Sequence, residues 1–172
     1  MASSYALLVV SFATVFQLVN GLSGSENPSG SCPNPYIDVG GKCLYFHSVT
    51  NDTWLNLEAL CTELNGHLVK IDDANLLYDI ISHIYAEEPT MESIWIGGSD
   101  AAAEGDWRWI DNSAVKMGTP FWGTTGRVYP QVQEPAGGTH ENCICLNRGY
   151  LFYFHDYSCD LVFGGICEYY TS

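Results

Sequence analysis

The sequence predicts an α+β fold with two helices in its first half, small antiparallel sheets and a long loop region. Three observations lead to this prediction. Two segments with apolar residues at helical spacing lie before Pro89. Three strand candidates close the chain. Between them, residues 99–139 are rich in Gly, Pro, Asp, Asn and Trp with little periodicity, and a loop of this length is typical of a functional region.

The first 31 of the 172 residues are expected to lie outside this fold. Residues 1–24 carry no charge, and an apolar run from Tyr5 to Val19 is followed by small residues, as in a secretory signal peptide. A membrane anchor is the alternative, but the run is short and polar residues interrupt it. Residues 25–31 have the composition of a linker. We therefore expect a secreted, extracellular protein whose domain spans residues 32–170.

Strands are predicted near both ends of the domain. Residues 36–46 indicate a hairpin around a Gly40-Gly41 turn. Residues 93–98 form a short buried strand candidate. The three closing strands are predicted at residues 142–147, 151–155 and 163–169.

Two helices are predicted between the hairpin and the strand at residues 93–98. The first covers residues 54–64, and Asn65-Gly66 is expected to cap its end. The second begins at Asp72 or Asp73, either of which can cap it, and keeps apolar residues on one face as far as residue 84.

Composition excludes several partners. The net charge is −14, and the six basic residues are not clustered, which argues against nucleic acid and against anionic membranes. No segment after residue 24 is apolar enough to predict a membrane span. One acceptor sequon, Asn51-Asp52-Thr53, predicts glycosylation of Asn51 in a secreted protein.

Seven cysteines follow residue 31, so that in an oxidising compartment six should pair and one should be left over. They are Cys32, Cys43, Cys61, Cys143, Cys145, Cys159 and Cys167. Spacing alone does not choose among the pairings. A zinc site is disfavoured because no Cys-x-x-Cys occurs.

Acidic side chains gather in and after the long loop region. If Cys143 and Cys159 are bridged, Glu141 and Asp156 come within several ångströms of each other, and Glu134 is close in sequence. Converging carboxylates repel, and a hard divalent cation relieves the repulsion; oxygen ligands from loops favour calcium. Ordinary solvated acids are the alternative for each residue.

Several short motifs follow one another between Cys32 and Tyr169. They are Gly66-His67-Leu68-Val69-Lys70-Ile71, Trp95-Ile96-Gly97-Gly98, Trp107-Arg108-Trp109-Ile110-Asp111, Phe121-Trp122, Glu134-Pro135, Glu141-Asn142-Cys143 and Gly165-Ile166-Cys167-Glu168. In this order they resemble the C-type lectin-like domain along its whole length. The narrower resemblance is to soluble invertebrate lectins of the crustacean haemolymph or perlucin-like kind.

The resemblance implies three disulfides, Cys32–Cys43, Cys61–Cys167 and Cys143–Cys159. It leaves Cys145 unpaired. Because Cys145 alternates with Ile144 and Leu146 on a predicted strand, we favour a buried thiol over a disulfide between chains.

The resemblance also implies a calcium and sugar site. In sugar-binding members a Glu-Pro-Asn or Gln-Pro-Asp triplet, a following Glu and an Asn-Asp pair hold one calcium and two sugar hydroxyls. Here Glu134-Pro135-Ala136, Glu141 and His155-Asp156 stand at those positions, so the acids are kept and both amides are lost. Glu134, Glu141, His155 and Asp156 are the implied sugar-binding residues, and the three acids are the implied calcium ligands. We expect weak calcium binding and a slight preference for mannose-type sugars.

A second calcium position of the family is partly matched by Asp100, Glu104, Glu141 and Asn142. Gly137 falls near the place where a further acid would stand. Pro135 aligns with a proline that follows a cis peptide bond in the family.

The resemblance implies a calcium-dependent lectin that recognises glycans of microbial or cell surfaces in innate immunity. A homo-oligomer would add avidity to weak single sites. The exposed Tyr129 is a candidate for stacking on a sugar, whereas Trp122 is expected in the core. The alternative is a calcium-independent domain that binds a protein or another non-sugar surface, and the two lost amides favour it.

An enzyme is not expected. His155-Asp156 ahead of Cys159 is similar to the His-Asp pair of secreted phospholipases, but their glycine-rich calcium loop is absent. No His-Glu-x-x-His or Gly-x-Ser-x-Gly motif occurs.

Overall fold

The computed structural model describes residues 32–126 and 130–170, and this part of the chain contains ten strands and two α-helices. The strands are β1 (Ile37–Val39), β2 (Lys42–Asp52), β3 (Gly66–Leu68), β4 (Ser93–Ser99), β5 (Arg108–Trp109), β6 (Thr124–Thr125), β7 (Val132–Gln133), β8 (Cys143–Asn147), β9 (Phe154–Tyr157) and β10 (Phe163–Tyr169). The helices are α1 (Trp54–Glu63) and α2 (Ala74–Glu87). The predicted signal peptide, the predicted linker and Tyr129 lie outside the described residues. No helix among those described is long and apolar enough to cross a membrane.

One sheet contains eight of these strands, in the order β1-β2-β10-β4-β8-β9, with β3 on β10 and β5 on β4. Strands β6 and β7 form a separate antiparallel pair. Strand β10 is antiparallel to β2 and β3 but parallel to β4, which is the one departure from the predicted antiparallel pairing among the described strands. The last strand therefore closes the sheet onto segments from the first half of the chain.

Local capping fixes both helices. Thr53 accepts a hydrogen bond from the Asn56 amide at the start of α1. Asp73, rather than Asp72, caps α2, because its carboxylate accepts from the Asn75 and Leu76 amides. Of the two residues predicted to cap the end of α1, only Asn65 takes the left-handed conformation, with φ of 63°. Gly66 is instead the first residue of β3. A Cβ at Gly66 would collide with the Glu168 carbonyl oxygen on β10.

The prediction of a strand at residues 151–155 is wrong in its position. A 3₁₀ turn covers Arg148–Tyr150, and Leu151 and Phe152 have φ of 60° and 59°. Phe152 is fully buried, so its apolar character reflects a turn that packs into the core. The strand instead begins at Phe154 and runs on to Tyr157.

The core lies between α2 and the sheet, and a second apolar cluster surrounds the Cys61–Cys167 bridge. Trp122 is 2% exposed, its ring meets those of Trp107 and Phe154 edge to face, and its Nε1 donates to the Lys116 carbonyl. The prediction that it lies in the core is confirmed.

The three implied disulfides are all present: Cys32–Cys43, Cys61–Cys167 and Cys143–Cys159. All seven cysteines lie in the described residues, and Cys145 is unpaired and fully buried. Burial raises the pKa of its thiol to about 12. A thiol enclosed in this way is a packing group, because it is not accessible to a second chain.

Candidate functional site

The four residues predicted to bind a sugar line one shallow cleft of 190 Å³. Glu134, Glu141, His155 and Asp156 share it with Thr125, Ala136 and Tyr157. The structure thus brings together side chains from the loop region, from the segment before β8 and from β9.

Pairing of β8 with β9 sets the position of the last two. Ile144 lies opposite Asp156 and Cys145 opposite His155 in the antiparallel register. The Cys143–Cys159 bridge fastens the same two segments. Glu141 follows a 3₁₀ turn over Gly138–His140, and its amide donates to the Gly138 carbonyl. The Glu134-Pro135 peptide bond is cis, as the family resemblance implies.

The carboxylate of Asp156 is bonded to the backbone of the loop. The Ala136 amide lies 3.0 and 3.1 Å from its two oxygens, and the Gly137 amide donates to Oδ2 at 2.7 Å. These charge-assisted bonds hold the turn after Pro135 against β9. They also use the oxygens that calcium would need.

Glu134 is paired with His155. Nδ1 of the imidazole lies 3.1 Å from Oε1 of the carboxylate, and the two side chains are 2% and 5% exposed. The Tyr150 ring lies against the imidazole, with centroids 4.3 Å apart. His155 Nε2 is buried and has no hydrogen-bond partner among the described residues. The ring is therefore fixed in place by packing and by a single polar contact.

Like charges meet around Asp156. Burial raises the pKa of Glu134, and Asp156 raises it further, while the bond to His155 partly opposes the shift. Burial and then Asp156 likewise raise the pKa of Glu141. The pKa of Asp100 is raised mainly by burial, with a smaller contribution from Asp156. Asp156 thus contributes to the raised pKa of three other carboxyl groups.

The residues predicted for the second calcium position are only partly assembled. Asp100 is buried, with Oδ2 accepting from the Gly105 amide and Oδ1 lacking a partner in the described part of the chain. Its amide donates to the Asn142 carbonyl. Glu104 is exposed and makes no hydrogen bond or ion pair to any described residue. At Gly137 an added Cβ would collide with Glu141, so a further acid does not fit there as the loop stands.

The donor types suit calcium, but their arrangement does not. Carboxylate oxygens are the hard ligands that calcium prefers. Yet among residues 32–126 and 130–170 no three Asp, Glu, His or Cys side chains converge as a metal site. Glu134 and Asp156 already have partners within the protein. The residues present therefore do not form a calcium site in this conformation.

Sequence reasoning missed four contributors to the cleft, two side chains and two backbone amides. Thr125 and Tyr157 line it, and the Ala136 and Gly137 amides bind Asp156. Tyr157 follows from the corrected span of β9, since it lies two residues beyond His155 on the same face. No residue pattern identifies the backbone amides in advance.

Residues 50–169 match the family described as Lectin C-type domain. The fold and this match place the chain in the C-type lectin family, a family of carbohydrate-binding lectins. It is 30% identical over 138 residues to human "C-type lectin domain family 17, member A", covering 80% of this chain and 32% of that relative. Lactose-binding lectin l-2 of Anguilla japonica is 29% identical over 80% of this chain and 78% of its own length.

The invertebrate resemblance is also confirmed, since a perlucin-like protein of Mytilus galloprovincialis is 29% identical over 63% of this chain and 70% of its own length. Among solved structures, the carbohydrate-recognition domain of the mouse scavenger receptor C-type lectin has a TM-score of 0.61 at 26% identity, covering 82% of this chain and 99% of that one. A calcium-independent type II antifreeze protein shares the fold, with a TM-score of 0.60 at 24% identity over 80% of this chain and 92% of its own.

Proposed function

We propose that this protein is a secreted lectin and that the cleft of Glu134, Glu141, His155 and Asp156 is its sugar-binding site. The observation that carries the proposal is the convergence of all four predicted residues on one open cleft. Sugar hydroxyls both donate and accept hydrogen bonds. The half-buried Glu141 carboxylate is suited to accept from a hydroxyl, and the Thr125 hydroxyl on the cleft wall is suited to do both.

The proposed ligands are glycans of microbial or cell surfaces, and the proposed role is recognition in innate immunity. Relatives described as a lactose-binding lectin and a galactose-specific lectin support a glycan as the ligand class. The kept Glu134 gives a slight preference for mannose-type sugars through the family resemblance. Secretion is proposed from the pattern of residues 1–24, and Asn51, exposed at the end of β2, is the proposed glycosylation site. Association of several chains would raise the avidity.

Calcium binding is proposed to be weak. Asp100, Glu104, Glu141 and Asn142 are the proposed ligands of one position, and Glu134, Glu141 and Asp156 of the other. At the second position a cation has to compete with His155 and with two backbone amides. That competition is the physical reason to expect low affinity.

Calcium-independent binding of a protein or another non-sugar surface is the second candidate. The paired state of Glu134 and Asp156 favours it, because the loop is ordered by contacts within the chain. The likeness to a calcium-independent antifreeze protein shows that this fold exists without calcium dependence.

Calorimetric titration of the mature protein separates the two candidates. Calcium is titrated alone and with mannose, galactose or bacterial peptidoglycan, and each glycan is then titrated after chelation. Glycan heat, with or without calcium, supports a lectin. Glu141→Gln should weaken it, while Glu63→Gln, at an exposed position of α1 outside the cleft, should not. Absence of glycan heat in every condition would overturn the lectin proposal and leave the second candidate.

A further inference from the structure

We infer that His155 and the Ala136 and Gly137 amides replace a bound cation in ordering the loop, so that the cleft is held in shape by the chain alone. The inference concerns the integrity of residues 134–137 rather than sugar binding. It holds whichever ligand the cleft takes.

The first contact fixes the start of that segment. The imidazole of His155 is held by its place on β9 opposite Cys145 and by the Tyr150 ring. Its other edge faces Gly123, where an added Cβ would lie 2.7 Å from Nε2. With the ring confined on both sides, Nδ1 stays 3.1 Å from the Glu134 carboxylate. The Glu134 amide also donates to the Gly123 carbonyl, so both its backbone and its side chain are anchored.

The second contact fixes the end of the segment. Asp156, the next residue of β9, accepts from the Ala136 and Gly137 amides at 2.7–3.1 Å. Two consecutive residues of one strand thus bind both ends of a four-residue segment. The backbone of the loop thereby satisfies the acceptor oxygens of Asp156 that a cation would otherwise bind.

It follows that a cation is not needed to keep this loop in place. To use Glu134 or Asp156, calcium would have to break the bonds that now order the segment. Removing the imidazole should release the Glu134 carboxylate and make the loop responsive to calcium, because an unpaired buried carboxylate gains from a cation.

The first experiment is hydrogen exchange of the wild-type mature protein in calcium and in EDTA. The Ala136 and Gly137 amides should keep the same protection in both, within about twofold, because their acceptor belongs to the chain. Rapid exchange of these two amides in EDTA would overturn the inference. This measurement needs no variant and no glycan, so its failure is distinguishable from failure of the lectin proposal.

The second experiment is thermal unfolding of His155→Asn and of a matched control, His140→Asn, in calcium and in EDTA. His140 is exposed in the same loop and has no bond to Glu134 or Asp156. The wild type and the control should show the same small difference in Tm between the two solutions, as weak calcium binding gives. His155→Asn should have a lower Tm in EDTA, and millimolar calcium should raise it by clearly more than it raises the Tm of the wild type. A folded His155→Asn whose Tm responds to calcium no more than that of the wild type would overturn the inference.

Discussion

Alanine substitutions at Glu134 and His155 should not be additive in their effects on stability. The two side chains are almost fully buried and bonded to each other. His155→Ala leaves a buried carboxyl group without its hydrogen-bond partner beside Asp156, and leaving a buried polar group unsatisfied costs about 1–3 kcal/mol. Glu134→Ala leaves a buried imidazole without its one polar contact, which costs about 1–3 kcal/mol. In the double variant neither group is orphaned, so its loss should fall short of the sum by about 1.5–3 kcal/mol.

Urea unfolding at neutral pH, with disulfides intact and tryptophan fluorescence as the probe, measures the three variants against the wild type. Glu104→Ala and His140→Ala form the matched cycle, since both residues are exposed. That pair should be additive within about 0.5 kcal/mol. If Glu134 and His155 are additive within the same margin, their contact contributes nothing to folding, and the reasoning about the loop is refuted.

Three further changes test the cleft, one disulfide and one buried carboxyl group. Gly137→Ala should lower the free energy of unfolding by about 1–3 kcal/mol, because the added Cβ collides with Glu141. The same variant should weaken glycan binding in calorimetry. Unchanged affinity would contradict the role of Glu141. Alanine at both Cys61 and Cys167 should lower the free energy of unfolding in urea by about 4.8 kcal/mol, because their bridge spans 106 residues. A loss of less than about 2 kcal/mol would show that loop-closure entropy does not explain the contribution of this disulfide. Burial raises the pKa of Glu58 above its ordinary 4.5. The folded protein therefore binds this proton more tightly than the unfolded chain does, which stabilises the fold at low pH. This stabilisation is lost as pH rises through the raised pKa. Glu58→Gln should therefore gain stability relative to the wild type between pH 4 and 7, and a constant difference would contradict this.

Elements with local causes could be predicted from the sequence. The Gly40-Gly41 turn was found because both positions need positive φ, and the structure gives 62° and 79°. Helix α2 was found because a capping aspartate precedes apolar residues at helical spacing. Neither element depends on a distant segment.

Elements that depend on contacts with distant segments could not be predicted from the sequence. Strand β3 has three residues and exists because it pairs with β10, about a hundred residues later. The apolar residues around Phe152 indicated a strand, but tertiary packing turns this segment inward instead. In both places the competing cause was a contact far along the chain.

The candidate site divides in the same way. Acid order and one disulfide were sufficient to bring Glu134, Glu141 and Asp156 together. The occupation of the Asp156 oxygens depends on how the backbone turns after Pro135, and residue types do not encode that path. The expectation of weak calcium binding rested on lost amides, whereas the structure adds a second reason in the bonds made by the acids that remain.

The alternation of Cys143 and Cys145 on β8 has a consequence for how the protein matures. In the reduced chain Cys159 lies 16 residues from Cys143 and two fewer from Cys145, so ring-closure entropy hardly separates the two oxidation products. The sheet separates them, because the register places Cys143 opposite Tyr157 and seals Cys145 inside. Oxidation that outruns strand pairing would trap an isomer with β8 displaced by two residues and the cleft pulled apart. Correct maturation therefore depends on the order of two events, and a slow oxidant or a disulfide isomerase should raise the yield of the form that carries the cleft.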